Sequence, residues 1–279
     1  MSLPFRRGGE PDVRIHAVVI RAPSAKGEKM HEQHYKGLVA EWYDDWLKER
    51  TDDRDYYLGF FRGFGGRALE LACGTGRLLL PIAGTGVTIH GLDSSEDMLA
   101  VLRSKAANLG IHGIELHNQS MEGFSLATEY DAIFVASGSF QLLTSTESAL
   151  NSLKCIRNHL SDTGFFLVDI FVPWDNIIEQ RQDHYQVTRD AVRPDGKRSI
   201  VLERFKIDIP KQTKYGTYRY EFYDQKRLTD CVTDDLSIRW YWKDEYLSLL
   251  NSAGFSRIDV LTQSPLYDEG HSFVFKASK

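Results

Sequence analysis

A chain of 279 residues with 42% hydrophobic content carries enough apolar material for a sizeable core, which excludes disorder as the default. Its 26% charged residues and formal net charge of -5 oppose the basic footprint that a nucleic-acid backbone requires, so no nucleic-acid partner is expected. The three cysteines, Cys73, Cys155 and Cys231, form neither a CxxC pair nor a Cys/His ligand spacing, which points to a reducing, cytoplasmic setting and to no metal site.

No apolar run approaches the roughly 20 residues needed to span a bilayer, so no membrane crossing is expected. Residues 1–29 mix Arg6, Arg7, Glu10 and Asp12 with Gly and Pro and read as a poorly ordered tail, native or expression-derived, with Met30 as a candidate start. Over residues 31–50, Leu38, Trp42, Trp46 and Leu47 recur at three- and four-residue steps and predict an amphipathic helix. A second short helix at 56–64 leads to Gly65-Gly66. Residues 67–72 then read as a buried strand stopped by Cys73-Gly74-Thr75-Gly76. Next come a helix over 77–84, a strand over 87–92 ending at Asp93, and a helix to about Leu109 capped by Ser94 or Ser95. Further strands are expected at 114–117, 130–135 and 164–170, with a helix over 146–160 before the last. Alternating β and α with short connections implies a parallel sheet with helices on both faces and a ligand at the carboxyl ends of its strands.

After Pro173 the pattern changes. A helix leads into segments 186–188, 199–209 and 215–224, where aromatic and β-branched residues alternate as in antiparallel strands, with Pro194-Asp195-Gly196 as a turn. The core is expected to resume over 236–240, followed by a helix over 243–253 ended by Gly254 and final strands at 257–261 and 272–276. The extra strands then form a lobe, 176–235, inserted into an α/β domain of residues 65–175 and 236–279.

The turn after the first strand, with two glycines, lets backbone approach a ligand closely. Leu79 stands where a dinucleotide fingerprint has its third glycine, which disfavours a pyrophosphate on the helix start. Glu70, inside an otherwise apolar strand, needs a cationic or hydrogen-bonding partner once buried, and a ligand ammonium group would be one. Asp93 ends the second strand, where a carboxylate can accept two hydrogen bonds from ribose hydroxyls.

The segment ELACGTGR, with Asp93 after it, resembles the first motif of class I S-adenosylmethionine-dependent methyltransferases, and the likeness runs from about Tyr35 onward. The resemblance implies a Rossmann-like α/β sheet with helices on both faces plus the inserted antiparallel lobe. It implies S-adenosylmethionine as cofactor, released as S-adenosylhomocysteine. By it Ala72, Cys73, Gly74 and Gly76 form the loop under the cofactor, and Glu70 supports the methionine end. Asp93 receives the ribose, Ser94 continues that motif, and Met98 lies near the adenine. Similar enzymes often carry Gly-Asp-Met after the third strand, whereas Gln119-Ser120-Met121 stands here, so Ser120 or Gln119 would accept the adenine amino bond and Met121 would pack on the ring. A backbone carbonyl near Ala136 would hold the cofactor ammonium.

The first helix, within a region 30–64, would act as a lid, with Tyr35 its preferred contact beside Trp42 and Tyr43. Phe140 and Gln141 would face the substrate or, for Phe140, the core. Tyr218, Tyr220, Phe222 and Tyr223 would line an acceptor pocket or a homodimer contact, with Tyr223 named as a substrate residue. The loop after the fourth strand lacks the Asp/Asn-Pro-Pro-aromatic motif of base-amine methylation, and the chain lacks the Pro-Cys pair of cytosine chemistry.

Methyl transfer from a sulfonium is an in-line displacement that needs alignment more than nucleophilic groups. A base is required only for a protonated acceptor, and His184, His271 and Tyr223 are the candidates, none assigned. The likeness extends loosely to amino-sugar and glycine or sarcosine N-methyltransferases, which implies a small-molecule acceptor, an amine before a hydroxyl or carboxylate. Two rival readings are a non-catalytic protein that binds the cofactor or its product, and a nicotinamide-dependent dehydrogenase.

Overall fold

The computed structural model describes residues 35–48, 52–261 and 271–279, so the tail reading for 1–29 and the candidate start at Met30 lie outside the described residues. Helices α1 (Gly37–Trp46) and α2 (Asp52–Phe61) precede strand β1 (Arg67–Leu71). Then follow α3 (Leu79–Ala83), β2 (Thr88–Asp93), α4 (Glu96–Asn108), β3 (Leu116–Asn118) and β4 (Tyr130–Val135). A 3-10 turn (Ser139–Leu142) and α5 (Thr146–His159) lead to β5 (Leu160–Phe171). These strands form a sheet in the order β5-β4-β1-β2-β3, all parallel. On the far side of β5 it is extended antiparallel by β11 (Ser272–Ser278) and β10 (Arg257–Leu261).

The near-continuous apolar strands are buried on both faces, as a helix-covered parallel sheet demands. Leu69, Leu71, Ile133, Val135, Phe166 and Val168 enter one core cluster, and Ala68, Ala132, Phe134 and Leu167 enter the other. Tyr57 and Phe61 of α2 pack on Phe134 with ring centroids 5.6 and 5.0 Å apart. The helix after β2 is capped by Ser95, whose hydroxyl accepts from the Met98 amide, which leaves Ser94 as the neighbouring loop residue.

From the carboxyl end of β5 the chain passes through α6 (Trp174–Glu179) into a four-stranded antiparallel sheet. It consists of β6 (Arg181–Val192), β7 (Arg198–Asp208), β8 (Thr213–Asp224) and β9 (Arg227–Arg239). The turn at Pro194-Asp195-Gly196 joins β6 to β7, with the Gly196 amide donating to Arg193. Residues 236–239, expected to open the returning core, instead complete β9 opposite Thr213–Gly216. The core returns with Trp240 and Tyr241, both buried, and α7 (Lys243–Ser252). No helix among the described residues is long and apolar enough to cross a membrane.

Helix α1 stands between the two sheets. Its apolar face lies on the antiparallel sheet, Trp42 against Phe222 and Trp46 against Tyr220, with the Arg193 guanidinium 3.7 Å over the Trp42 ring. Its polar face reaches the glycine turn: Asp44 accepts from the Thr75 hydroxyl at 2.6 Å and pairs with Lys105 at 2.6 Å.

Candidate active site

The carboxyl ends of β1, β2 and β4, helix α1 and the inner face of the antiparallel sheet enclose three chambers. All three are lined by Tyr43 and Ser139, so they adjoin at those two residues. The first, about 220 Å3, is bounded by Ala72, Gly74, Asp93, Ser94, Met98, Ser120 and Met121, with Tyr35, Leu142 and Leu143 completing it. The second, about 40 Å3, lies between the glycine turn and the loop after β4 and is lined by Glu70, Cys73, Arg77, Ala136 and Ser137 among others. The third, about 340 Å3, opens against β6 to β9, where Arg189, Glu203, Lys214, Tyr218 and Tyr220 meet Ser137, Gly138 and Phe171.

The glycine turn is shaped for close approach. Ala72 and Gly74 have φ of 54° and 51°, and a Cβ placed on Gly74 would project into open space with only Met98 Cε at 3.9 Å. Gly76 serves a different purpose: a Cβ there would lie 2.8 Å from Leu102 Cγ, so this glycine lets α4 pack beneath the turn and lines none of the three chambers. Asp93 is fixed by two backbone amides, accepting from Gly74 on one oxygen and Ser95 on the other, both at 2.8 Å. Each oxygen keeps a lone pair for a further donor in the first chamber. Burial pushes the Asp93 carboxyl above its usual range, and the Ser95 and Gly74 amides hold part of that rise back.

Glu70 is 4% exposed, and its Oε2 has no hydrogen-bond partner among the described residues. Burial drives this carboxyl well above the usual carboxylate range, with the Arg77 guanidinium opposing the rise. An unpaired buried acceptor lining a small polar chamber fits the ammonium group of an amino-acid moiety. Arg77 itself is engaged by Asp53 and donates to Ser137 Oγ at 2.8 Å. Cys73 is buried in the same turn, and burial next to Glu70 and Asp93 holds its thiol protonated far above the usual range, which removes it as a nucleophile.

The loop after β4 separates the second and third chambers. Ser137 and Gly138 have φ of 60° and 69°, and their amides donate to opposite oxygens of buried Asp169 at 2.8 and 2.9 Å. The Tyr57 hydroxyl also donates to Asp169. In the third chamber Lys214 and Glu203 form an ion pair at 2.7 Å with side chains 11% and 12% exposed. Burial and the adjoining Glu203 push the Tyr218 phenol well above its ordinary value.

Of the residues singled out in the sequence, Tyr35, Ala72, Gly74, Asp93, Ser94, Met98, Ser120 and Met121 meet in the first chamber, and Glu70, Cys73 and Ala136 in the second. Gln119 is occupied by Ser125, whose amide donates to it at 3.0 Å, so Ser120 is the one that faces the chamber. Tyr218 and Tyr220 line the third chamber, and Phe222 is buried against Trp42.

Three expected substrate residues do not reach any of these chambers. Phe140 is fully buried between Tyr241 and Tyr246. Gln141 is fully buried with its amide spent on backbone, donating to Phe171 and Arg239 carbonyls at 2.9 and 3.2 Å and accepting from the Phe171 amide at 2.9 Å. Tyr223 donates to Glu221 at 2.5 Å, away from the cleft. His184 and His271 also line none of the three. The residues missed from sequence are Ser137, Ser139, Arg189, Glu203 and Lys214. The alternation of β7 gives a signal for Val201 and Glu203 on one face, but their partners depend on a register set only by folding.

A methyltransferase domain model matches residues 68–164. The chain is 30% identical over 197 residues to the dTDP-3-amino-3,4,6-trideoxy-alpha-D-glucopyranose N,N-dimethyltransferase of Streptomyces venezuelae, covering 71% of this chain and 78% of that protein. The crystal structure of an S-adenosylmethionine-dependent methyltransferase from Clostridium acetobutylicum superposes with a TM-score of 0.69 at 14% identity, covering 86% of this chain and 97% of that one. Streptomyces venezuelae DesVI superposes with a TM-score of 0.68 at 20% identity, over 88% and 99% of the two chains. Together with the glycine turn, Asp93 and the sheet order, these matches show that the chain belongs to the class I S-adenosylmethionine-dependent methyltransferase family.

Proposed function

We propose that this enzyme N-methylates a small, polar amine, of the kind an amino sugar presents, held in the third chamber. The observation that carries this reading is the junction at Tyr43 and Ser139, where the acceptor-sized chamber lined by both charge signs meets the two that fit the cofactor. The dimethyltransferase relative, whose name specifies an amino sugar, supports the same acceptor class.

S-adenosylmethionine, when bound, supplies an electrophilic methyl group on a sulfonium. Asp93 would hold the ribose hydroxyls, Met98 and Met121 would line the adenine end, and Glu70 Oε2 with the Ala136 region would hold the ammonium. Tyr43 and Ser139 border the path from the cofactor to the acceptor, and α1, tied to the glycine turn by the bond from Thr75 to Asp44, forms one wall of it. An amine held in the third chamber would displace the methyl group from the sulfonium in line, leaving the thioether product, and the methylated ammonium would then give its surplus proton to solvent. An amine that arrives neutral needs no base.

Calorimetric titration with S-adenosylmethionine and S-adenosylhomocysteine, on wild type and Asp93→Ala, tests the cofactor arrangement. Saturable binding that disappears in the variant is expected. Mass analysis of a panel of amino sugars and their hydroxyl counterparts then tests the acceptor, with one added methyl group expected on the amines alone. Methylation confined to the hydroxyl series would refute N-transfer while leaving the cofactor site intact.

A further inference from the structure

Outside the three chambers, on the β2–β3 edge of the parallel sheet, His90, Glu115 and His117 bring two imidazole nitrogens and a carboxylate within 4.8 Å of one another. The strand register produces this convergence. The Gly91 amide donates to Glu115, and Leu92 lies opposite His117, so the side chains of 90, 115 and 117 emerge next to each other. Glu115 spans the gap, with Oε2 3.5 Å from His90 Nδ1 and Oε1 3.6 Å from His117 Nε2.

We propose that His90, Glu115 and His117 form a binding site for a divalent transition-metal ion, with Zn2+ the best match. Zinc takes imidazole and carboxylate ligands at about 2.0 to 2.2 Å, which places tetrahedral ligand atoms roughly 3.3 Å apart. The two contacts to Glu115 are within a few tenths of an ångström of that spacing. His117 Nε2 is buried with no hydrogen-bond partner among the described residues, a nitrogen lone pair or N–H left without use in the folded chain. His90 Nδ1 lies 3.1 Å from the buried Tyr130 hydroxyl, and in the tautomer where that nitrogen accepts from the phenol, a metal would take over the same lone pair. Glu115 is 58% exposed, which gives an ion and a water ligand access and lets the carboxylate close on the metal.

The site would be a clip for the three-residue edge strand β3, which runs directly into Ser120 and Met121 of the first chamber. The test uses untagged full-length protein stripped with a chelator. Titration with Co2+, followed by its visible absorption, and displacement by Zn2+ should give one equivalent in a four-coordinate spectrum. Saturating Zn2+ should raise the Tm by roughly 5 to 10 °C. Glu115→Gln and His117→Ala should each weaken Zn2+ by at least about tenfold. The exposed neighbour variant His112→Ala should bind as wild type, and Tyr130→Phe should bind equally or more tightly because the metal replaces that phenol on Nδ1. Absence of binding by the wild type at about 100 μM Zn2+, far weaker than structural zinc sites, overturns the proposal. So does unchanged affinity in Glu115→Gln, a surface substitution that spares the fold, or loss of binding in Tyr130→Phe.

Discussion

Replacing Glu70 with Gln separates the cost of a buried carboxylate from its use. In the ligand-free protein Glu70 Oε2 is an unpartnered acceptor in a residue 4% exposed, and a buried polar atom in that position costs about 1 to 3 kcal/mol. The folded pKa lies well above the ordinary value of 4.5 because of burial, so the stability linked to this group is complete below the unfolded pKa. It is lost as pH rises through the raised folded value. Glu70→Gln removes that dependence. Its Tm should equal or trail wild type at about pH 5 and exceed it by roughly 2 to 10 °C at about pH 8. Cofactor binding should move the other way. A charge-assisted bond to the ligand ammonium contributes about 1.5 to 3 kcal/mol, so the variant should bind S-adenosylmethionine roughly 10- to 150-fold more weakly. Because the ligand selects the ionised carboxylate, wild-type affinity should rise with pH and binding should release protons, seen as a dependence of the calorimetric enthalpy on buffer ionisation. The variant should lose the proton release arising at this residue. If Glu70→Gln binds the cofactor as tightly as wild type and its Tm follows wild type at every pH, the ammonium role assigned to Glu70 is wrong.

Gly74→Ala places a methyl group in the first chamber on a residue with φ of 51°; strain of about 1 to 2 kcal/mol should leave a folded protein whose calorimetric cofactor affinity falls at least about tenfold. Asp44→Asn breaks the pair with Lys105 and weakens the bond from Thr75, so stopped-flow displacement should show cofactor release about 3- to 20-fold faster with the fold unchanged. Gln141→Leu strands the backbone of Phe171 and Arg239, so it should lower unfolding stability by about 2 to 4 kcal/mol in denaturant titration while the acceptor KM of the folded fraction stays at the wild-type value.

What could be read from sequence, and what could not, divides along the range of the interactions. Glu70, Gly74, Asp93 and Met98 sit within one β-α-β-α stretch whose connections are too short to place them elsewhere, so residue type and spacing alone bring them to one end of the sheet. Ser95 rather than Ser94 as the helix cap is equally local, but the choice turns on one backbone dihedral that either serine can adopt. Gln141 shows the opposite case. A polar residue just after the fourth strand reads as substrate-facing, yet its partners are 30 and 98 positions away, where β5 and β9 leave their sheets with unpaired backbone groups. The same holds for the pair Glu203–Lys214, which comes together only because β7 and β8 adopt one particular register. The end of β9 depends on distance in the same way: residues 236–239 alternate as any strand would, and only pairing with Thr213–Gly216 assigns them to the second sheet. The first two chambers, proposed for the cofactor, are therefore built from local connections and the third, proposed for the acceptor, from distant ones. Substitutions in β7 and β8 should accordingly change the acceptor while leaving S-adenosylmethionine affinity intact, because the residues that line both the first and third chambers, Tyr35, Tyr43, Ser139 and Leu142, all lie outside those two strands.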